Sequence, residues 1–157
     1  MRLLVVGAGS TGGYFGGRLA QAGRDVTFLV RPRRASQLRE SGLQIVSPHG
    51  NVTVRPKLVT ADEIEAPYDA VLLGVKAYSV DAAIDDFAAA VGPETTIIPT
   101  LNGMRHNEIL EERFGMEPVA GGVCKVAAMI DPDGRIVQLA PFQEKRQGCA
   151  SNSSTSR

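Results

Sequence analysis

Six residues near the start of the chain, Gly7-Ala8-Gly9-Ser10-Thr11-Gly12, restrict its fold more than any other feature. The continuous apolar run Leu3-Leu4-Val5-Val6 leads into them, a helix-compatible stretch follows over residues 11–22, and a second apolar run covers residues 25–30. Strand, glycine turn, helix and strand in that order open a parallel α/β sheet, and the G-x-G-x-x-G spacing is that of a pyrophosphate-binding turn. Gly7 allows the tight turn, and Gly9 lets the backbone approach a pyrophosphate. Gly12 lets the helix pack closely on the sheet, with its N-terminal amides facing the phosphates.

The end of the second strand discriminates between dinucleotides. NAD sites usually carry Asp or Glu there, bonded to the ribose hydroxyls. Here the place holds Arg31, with Arg33 and Arg34 close behind and no carboxylate in this stretch after Asp25. A guanidinium offers a planar fork of donors matched to a phosphate dianion, so the expected cofactor is NADP(H), held by its 2′-phosphate. The alternative for Arg31 is a solvated loop arginine; its offset from Gly12 favours the phosphate contact.

The rest of the chain continues the alternation. Residues 34–41 read as a short helix closed by Gly42, and residues 43–46 and 52–58 as a hairpin turning at Pro48-His49-Gly50-Asn51. Residues 70–75 form an apolar strand. Residues 79–91 form a helix with Val80, Ile84, Phe87 and Val91 on one face, stopped by Gly92-Pro93. A strand over 95–99, a helix over 106–114, and strands over 119–130 and 136–139 joined by Asp131-Pro132-Asp133-Gly134 complete the pattern. The expected fold is one doubly wound, mainly parallel α/β sheet of Rossmann type, with helices on both faces. Residues 1–142 form the NADP-binding domain. Residues 143–157 carry almost no apolar side chain and read as a polar tail, disordered or foreign to the fold.

Several classes of function are disfavoured. With 157 residues, 43% of them hydrophobic, and a formal net charge of zero, neither nucleic-acid binding nor wholesale disorder is indicated. The two cysteines, Cys124 and Cys149, lack metal-ligand spacing and imply no disulfide framework. Met1 leads directly into a strand, which leaves no room for a signal peptide, and no apolar run is long enough to span a bilayer. The expected setting is cytoplasmic, with a small-molecule substrate, no membrane, no metal, and a possible homo-oligomer.

Two further positions fall at strand ends, where ligands of open α/β sheets bind. Lys76 follows residues 70–75 directly and reads either as a solvated lysine or as a phosphate or ribose contact. Asn102-Gly103 reads equally as a turn dipeptide or as an amide that offers donor and acceptor where hydride is transferred. His49 and His106 read as surface residues without metal partners, and Asp81, Asp85 and Asp86 as a solvated helix face. Asp131 and Asp133 belong to a turn, and Cys124 reads as a small buried hydrophobe. Lys125, in an expected strand, has two readings, toward the ligand or away from it, and alternation alone does not choose between them. No nucleophile–base–orienter triad is present.

Taken together, Gly7-Ala8-Gly9-Ser10-Thr11-Gly12-Gly13, Leu29-Val30-Arg31, Val75-Lys76-Ala77-Tyr78 and Leu101-Asn102-Gly103-Met104 resemble the N-terminal domain of the ketopantoate reductases (2-dehydropantoate 2-reductases) over about residues 1–141. That family reduces 2-dehydropantoate to pantoate with NADPH, on the route to pantothenate and coenzyme A. The resemblance implies that Gly7 to Gly12 hold the pyrophosphate and that Arg31 meets the 2′-phosphate. It places Lys76 on the adenosine side and Asn102 between nicotinamide ribose and substrate. Gly122-Val123-Cys124-Lys125-Val126-Ala127-Ala128 resembles the strand passing the nicotinamide, which suggests a backbone contact near Ala128.

The departure from the family is at the end of the chain. Ketopantoate reductases continue into a helical second domain carrying the general-acid lysine and most substrate contacts, and the tail over residues 145–157 stands where that domain would begin. The expectation is therefore a truncated or frame-shifted chain with no catalytic residue of its own, able to bind NADP(H) with little reductase activity, and with an uncovered apolar surface that favours self-association. The alternatives are a related NADP-dependent 2-oxo acid or β-hydroxy acid oxidoreductase, and a non-catalytic NADP-sensing module.

Overall fold

A computed structural model describes residues 1–121 and 123–146 of the chain. Five strands, β1 (Arg2–Val6), β2 (Asp25–Leu29), β5 (Lys57–Val59), β6 (Ala70–Leu73) and β7 (Thr96–Pro99), form a wholly parallel sheet in the order β5-β2-β1-β6-β7. With β1 central and the order reversing beside it, the sheet has the doubly wound arrangement expected of a dinucleotide fold. Its strands are continuous apolar runs because both faces are covered. Along β1, Leu3 and Val5 enter one core, and Leu4 and Val6 enter the other.

Each core has its own helices. Leu4, Val6, Val71 and Leu73 pack against α3 (Val80–Phe87) and α4 (Arg105–Phe114) through Val80, Ile84, Phe87 and Leu110. On the opposite face lie α1 (Ser10–Gln21) and α2 (Pro32–Ser41), the latter starting with proline at its first position, where no amide partner is lost.

The sequence leads one to expect a single sheet, and the structure contains two. A second, mixed sheet has the order β4-β3-β9-β8, built from β3 (Leu43–Val46), β4 (Val52–Val54), β8 (Val123–Ile130) and β9 (Ile136–Arg146). Helix α1 lies between the sheets, and that accounts for Gly13, Gly16 and Gly17. A Cβ on Gly16 would stand 2.6 Å from Phe28 Cζ, in the parallel sheet. On Gly17 it would stand 2.7 Å from Ile45 Cδ1, and on Gly13 it would collide with Ile136, both in the second sheet. Tyr14 and Gln138 join helix to second sheet by a buried hydrogen bond of 3.0 Å.

Local boundaries shift for physical reasons. The run over 52–58 is broken at Pro56, which has no amide to donate, so Val52–Val54 stays with β3 while Lys57–Val59 crosses to β2. The helix expected over 79–91 is shorter, flanked by 3₁₀ turns at Ala77–Ser79 and Ala88–Ala90. The strand expected from 119 begins at Val123, and Val119 makes only a single bridge to Ile97.

Strand β9 reaches Arg146, so residues 143–146, assigned to the tail from their polarity, pair with β8 instead. Ladder hydrogen bonds join backbones, and a hairpin can therefore extend without apolar side chains. The remainder of the expected tail, including Cys149, lies outside the described residues. His106, read as a surface residue, is buried at 6% exposure, whereas Cys124 is only half-buried and Lys125 is exposed. Among the described residues no helix is long and apolar enough to cross a membrane, and no cluster of His, Cys, Asp or Glu could hold a metal.

Candidate functional site

A cleft of about 910 Å³ opens over the carboxyl ends of β1, β2 and β6, where the strand order reverses. Its floor is the loop from Val6 to Ser10. Gly7 turns the chain at φ +89°, a conformation that favours glycine, and its N–H donates to Leu29 O at 3.1 Å. Gly9 is the N-cap of α1, and no side chain caps that helix. The first intrahelical bond runs from Gly13 N–H to Gly9 O at 2.8 Å, so the preceding amides of the first turn have no partner within the helix. Those donors and the positive end of the helix dipole suit an anion.

The glycines of the loop differ in what requires them. A Cβ on Gly12 would stand 2.5 Å from Gly7 O and 3.3 Å from Gly74 Cα, so Gly12 is demanded by the protein's own packing. A Cβ on Gly9 would meet nothing nearer than Gly74 O at 4.0 Å. Packing does not explain Gly9. The open space there leaves room for a group the size of a pyrophosphate to approach the backbone.

Two cations line the cleft without neutralising partners. Arg31, at the N-cap of α2, and Lys76, at the start of the Ala77–Ser79 turn, are both exposed and make no side-chain hydrogen bond or ion pair with a described residue. Arg34 is different. Its Nη2 donates to Ala8 O at 3.1 Å and Gly134 O at 3.4 Å, and its Nη1 donates to Gln37 Oε1 at 2.7 Å. Burial pulls its pKa below the ordinary arginine value. It ties the glycine loop to the Asp131–Gly134 turn and is committed to the protein.

Of the residues singled out from sequence, Gly7, Ala8, Gly9, Ser10, Thr11, Arg31 and Lys76 converge on this cleft, with Gly12 packed beneath the loop. Asn102 lies in an exposed loop after β7 and is not part of the cleft wall, although Thr100 is. Thr100 Oγ1 donates to Leu73 O at 2.9 Å, which fixes the start of that loop. Ala128 packs against the core beneath the second sheet, and Ile130 of the same strand reaches the cleft.

Sequence reasoning missed one wall. Thr60, Ala61 and Asp62 line the cleft because β5 pairs with β2, a pairing concealed by reading residues 52–58 as one strand. Asp86, taken for part of a solvated face, lines it as well. The broken run at Pro56 was the available signal.

Known proteins of the same fold match this chain over most of its length. The family model for ketopantoate reductase PanE/ApbA matches residues 3–148. An uncharacterized oxidoreductase, YkpB of Bacillus subtilis, is 48% identical over 136 residues, covering 87% of this chain and 45% of that protein. The crystal structure of 2-dehydropantoate 2-reductase from Geobacter metallireducens superposes with a TM-score of 0.83 at 29% identity, covering 92% of this chain and 48% of that one. A ternary structure of D-mandelate dehydrogenase with NADH superposes with a TM-score of 0.79 at 25% identity, covering 89% and 46% respectively. The chain spans about half the length of the relatives it matches.

Proposed function

The chain belongs to the ketopantoate reductase PanE/ApbA family, and from that premise we propose that its cleft binds NADP(H) for the reduction of a 2-oxo acid, with 2-dehydropantoate as the substrate. The observation that carries the cofactor choice is Arg31: a guanidinium on the cleft rim with no side-chain partner among the described residues. Its fork of donors suits the 2′-phosphate. The uncapped first turn of α1 and the open space at Gly9 suit the pyrophosphate, and Lys76 supplies a second positive charge on the adenosine side.

When bound, the nicotinamide supplies the hydride. The family resemblance, rather than the cleft wall, gives Asn102 the part of donor and acceptor between nicotinamide ribose and substrate carbonyl, and the backbone near Ala128 a place beside the ring. Delivery of hydride to a ketone builds negative charge on oxygen, which needs a positioned proton donor. In the family that donor is a lysine of the helical domain, beyond the half of the relatives' length that this chain spans. On this reading residues 1–157 alone bind the dinucleotide with little turnover, and a pantothenate route in the cytoplasm is the setting.

Calorimetric titration with NADPH and NADH tests the proposal. Tighter NADPH binding is expected, and equal affinity or tighter NADH binding would overturn it. The likeness to D-mandelate dehydrogenase favours a second reading, a different 2-oxo acid. Turnover of a 2-oxo acid panel by the longest protein expressed from the same gene separates the two.

A further inference from the structure

A carboxylate, Asp62, stands on the cleft rim in the turn that follows β5. β5 runs parallel to β2 in the register Thr27↔Lys57, Phe28↔Leu58 and Leu29↔Val59, and Val30 N–H donates to Val59 O at 3.0 Å. Adjacent strands lie about 4.8 Å apart. The chain therefore leaves the sheet twice, side by side, toward the same rim, and both Arg31 and Asp62 line the cleft there. They form no ion pair with each other, so each charge remains available to a ligand.

Asp62 is also held in place. It belongs to a 3₁₀ turn, Ala61–Glu63, closed by a capping box in which Thr60 N–H donates to Glu63 Oε2 at 2.8 Å. The Thr60 hydroxyl donates to Asp62 Oδ1 at 2.6 Å. That bond to the charged form lowers the Asp62 pKa, so the group is a carboxylate at neutral pH.

Resting on the cofactor reading above, we propose that Asp62 is a second determinant of cofactor choice, acting against Arg31. A carboxylate on this rim accepts hydrogen bonds from free ribose hydroxyls and repels a 2′-phosphate. Arg31 does the reverse. The pair therefore sets a graded preference where a lone arginine would give a steep one. Asp86 of α3, the other carboxylate on the cleft wall, does not issue from the β2–β5 rim and has a smaller part.

The test titrates the 157-residue chain and its variants with NADPH and NADH, and reads the ratio of the two affinities. Asp62→Asn keeps an acceptor for the Thr60 hydroxyl and should tighten NADPH by about threefold to tenfold, without a gain for NADH. The gain should shrink as salt is raised. An unchanged ratio, equal shifts for both dinucleotides, or an equal effect of Asp86→Asn would overturn the role of Asp62. Arg31→Ala separates this from failure of the underlying reading. If Arg31→Ala weakens NADPH selectively while Asp62→Asn leaves the ratio alone, only Asp62 is wrongly assigned. If Arg31→Ala leaves NADPH binding untouched, or neither dinucleotide binds, the cofactor reading fails and the Asp62 role with it. Should asparagine disturb the turn, Asp62→Ser repeats the measurement with a shorter acceptor.

Discussion

Gly12 and Gly74 meet backbone to backbone: a Cβ on Gly74 would stand 2.6 Å from Gly12 Cα and 2.9 Å from Gly12 N. The contact presses the first turn of α1 onto the end of β6, where Gly74 N–H also donates to Val6 O at 3.0 Å. Neither backbone can yield without moving a strand or a helix.

Gly74→Ala should therefore destabilise the protein by about 1–3 kcal/mol, as an overpacked site does, and weaken dinucleotide binding as the loop shifts. Gly9→Ala should behave oppositely, because Gly9 has an ordinary extended backbone (φ −83°, ψ −166°) and open space around it. Its fold should be retained within about 1 kcal/mol while binding is lost. Thermal melts beside titrations of both variants check the contrast. Loss of stability in Gly9→Ala comparable to that in Gly74→Ala would remove the ligand explanation for Gly9.

Arg31→Ala should weaken NADPH by about tenfold to a hundredfold, the range of a charge-assisted hydrogen-bonded contact, and leave NADH nearly unchanged. The parent chain's NADPH affinity should also fall more steeply with salt than the variant's. Fluorescence titrations at two ionic strengths supply both numbers.

Arg34→Met should lower affinity for both dinucleotides together. Its guanidinium holds the Ala8 carbonyl and the Gly134 carbonyl, so its loss frees the glycine loop without removing a phosphate ligand. A stability cost of about 1–3 kcal/mol accompanies the lost partner. Selective loss of NADPH binding would instead make Arg34 a direct phosphate contact.

His106 gives the protein a pH dependence. Burial holds its folded-state pKa below the ordinary 6.5 that applies when the chain is unfolded. Beneath that pH the unfolded chain binds more protons than the folded one, so stability rises with pH there. The contribution is complete above 6.5 and is lost as pH falls through the folded value. Denaturant melts of the parent chain should show a slope just below pH 6.5 that His106→Gln flattens, and identical slopes would exclude His106 as its source.

The parallel sheet was legible in the chain because its signals are local. Leu3 to Val6 is buried on both sides, and the glycine turn states its own geometry. The second sheet was not, because nothing near Leu43 to Val46 announces a partner as distant as Ile136. Polarity hid the last part of β9, since a ladder is held by backbone groups that every residue carries. The rim of the cleft was half legible. Arg31 could be placed by its distance from Gly12, but Asp62 belongs to the rim only through the register of β5 on β2, which is a property of the folded sheet. His106 was misjudged because one polar residue in a helical pattern does not show which way the helix faces.

The position of α1 between two sheets also constrains the order in which the protein can be made. Tyr14 and Gln138 are 124 residues apart in sequence, and the side of the helix bearing Gly13 and Gly17 packs on the second sheet, against Ile45 of β3 and Ile136 of β9. A chain emerging from the ribosome can assemble its parallel sheet through β7 while that side of α1 still lacks β9. Contacts of such long sequence separation form slowly. The glycine loop is thus built early and buttressed late, with α1 fully packed only once Ile136 arrives.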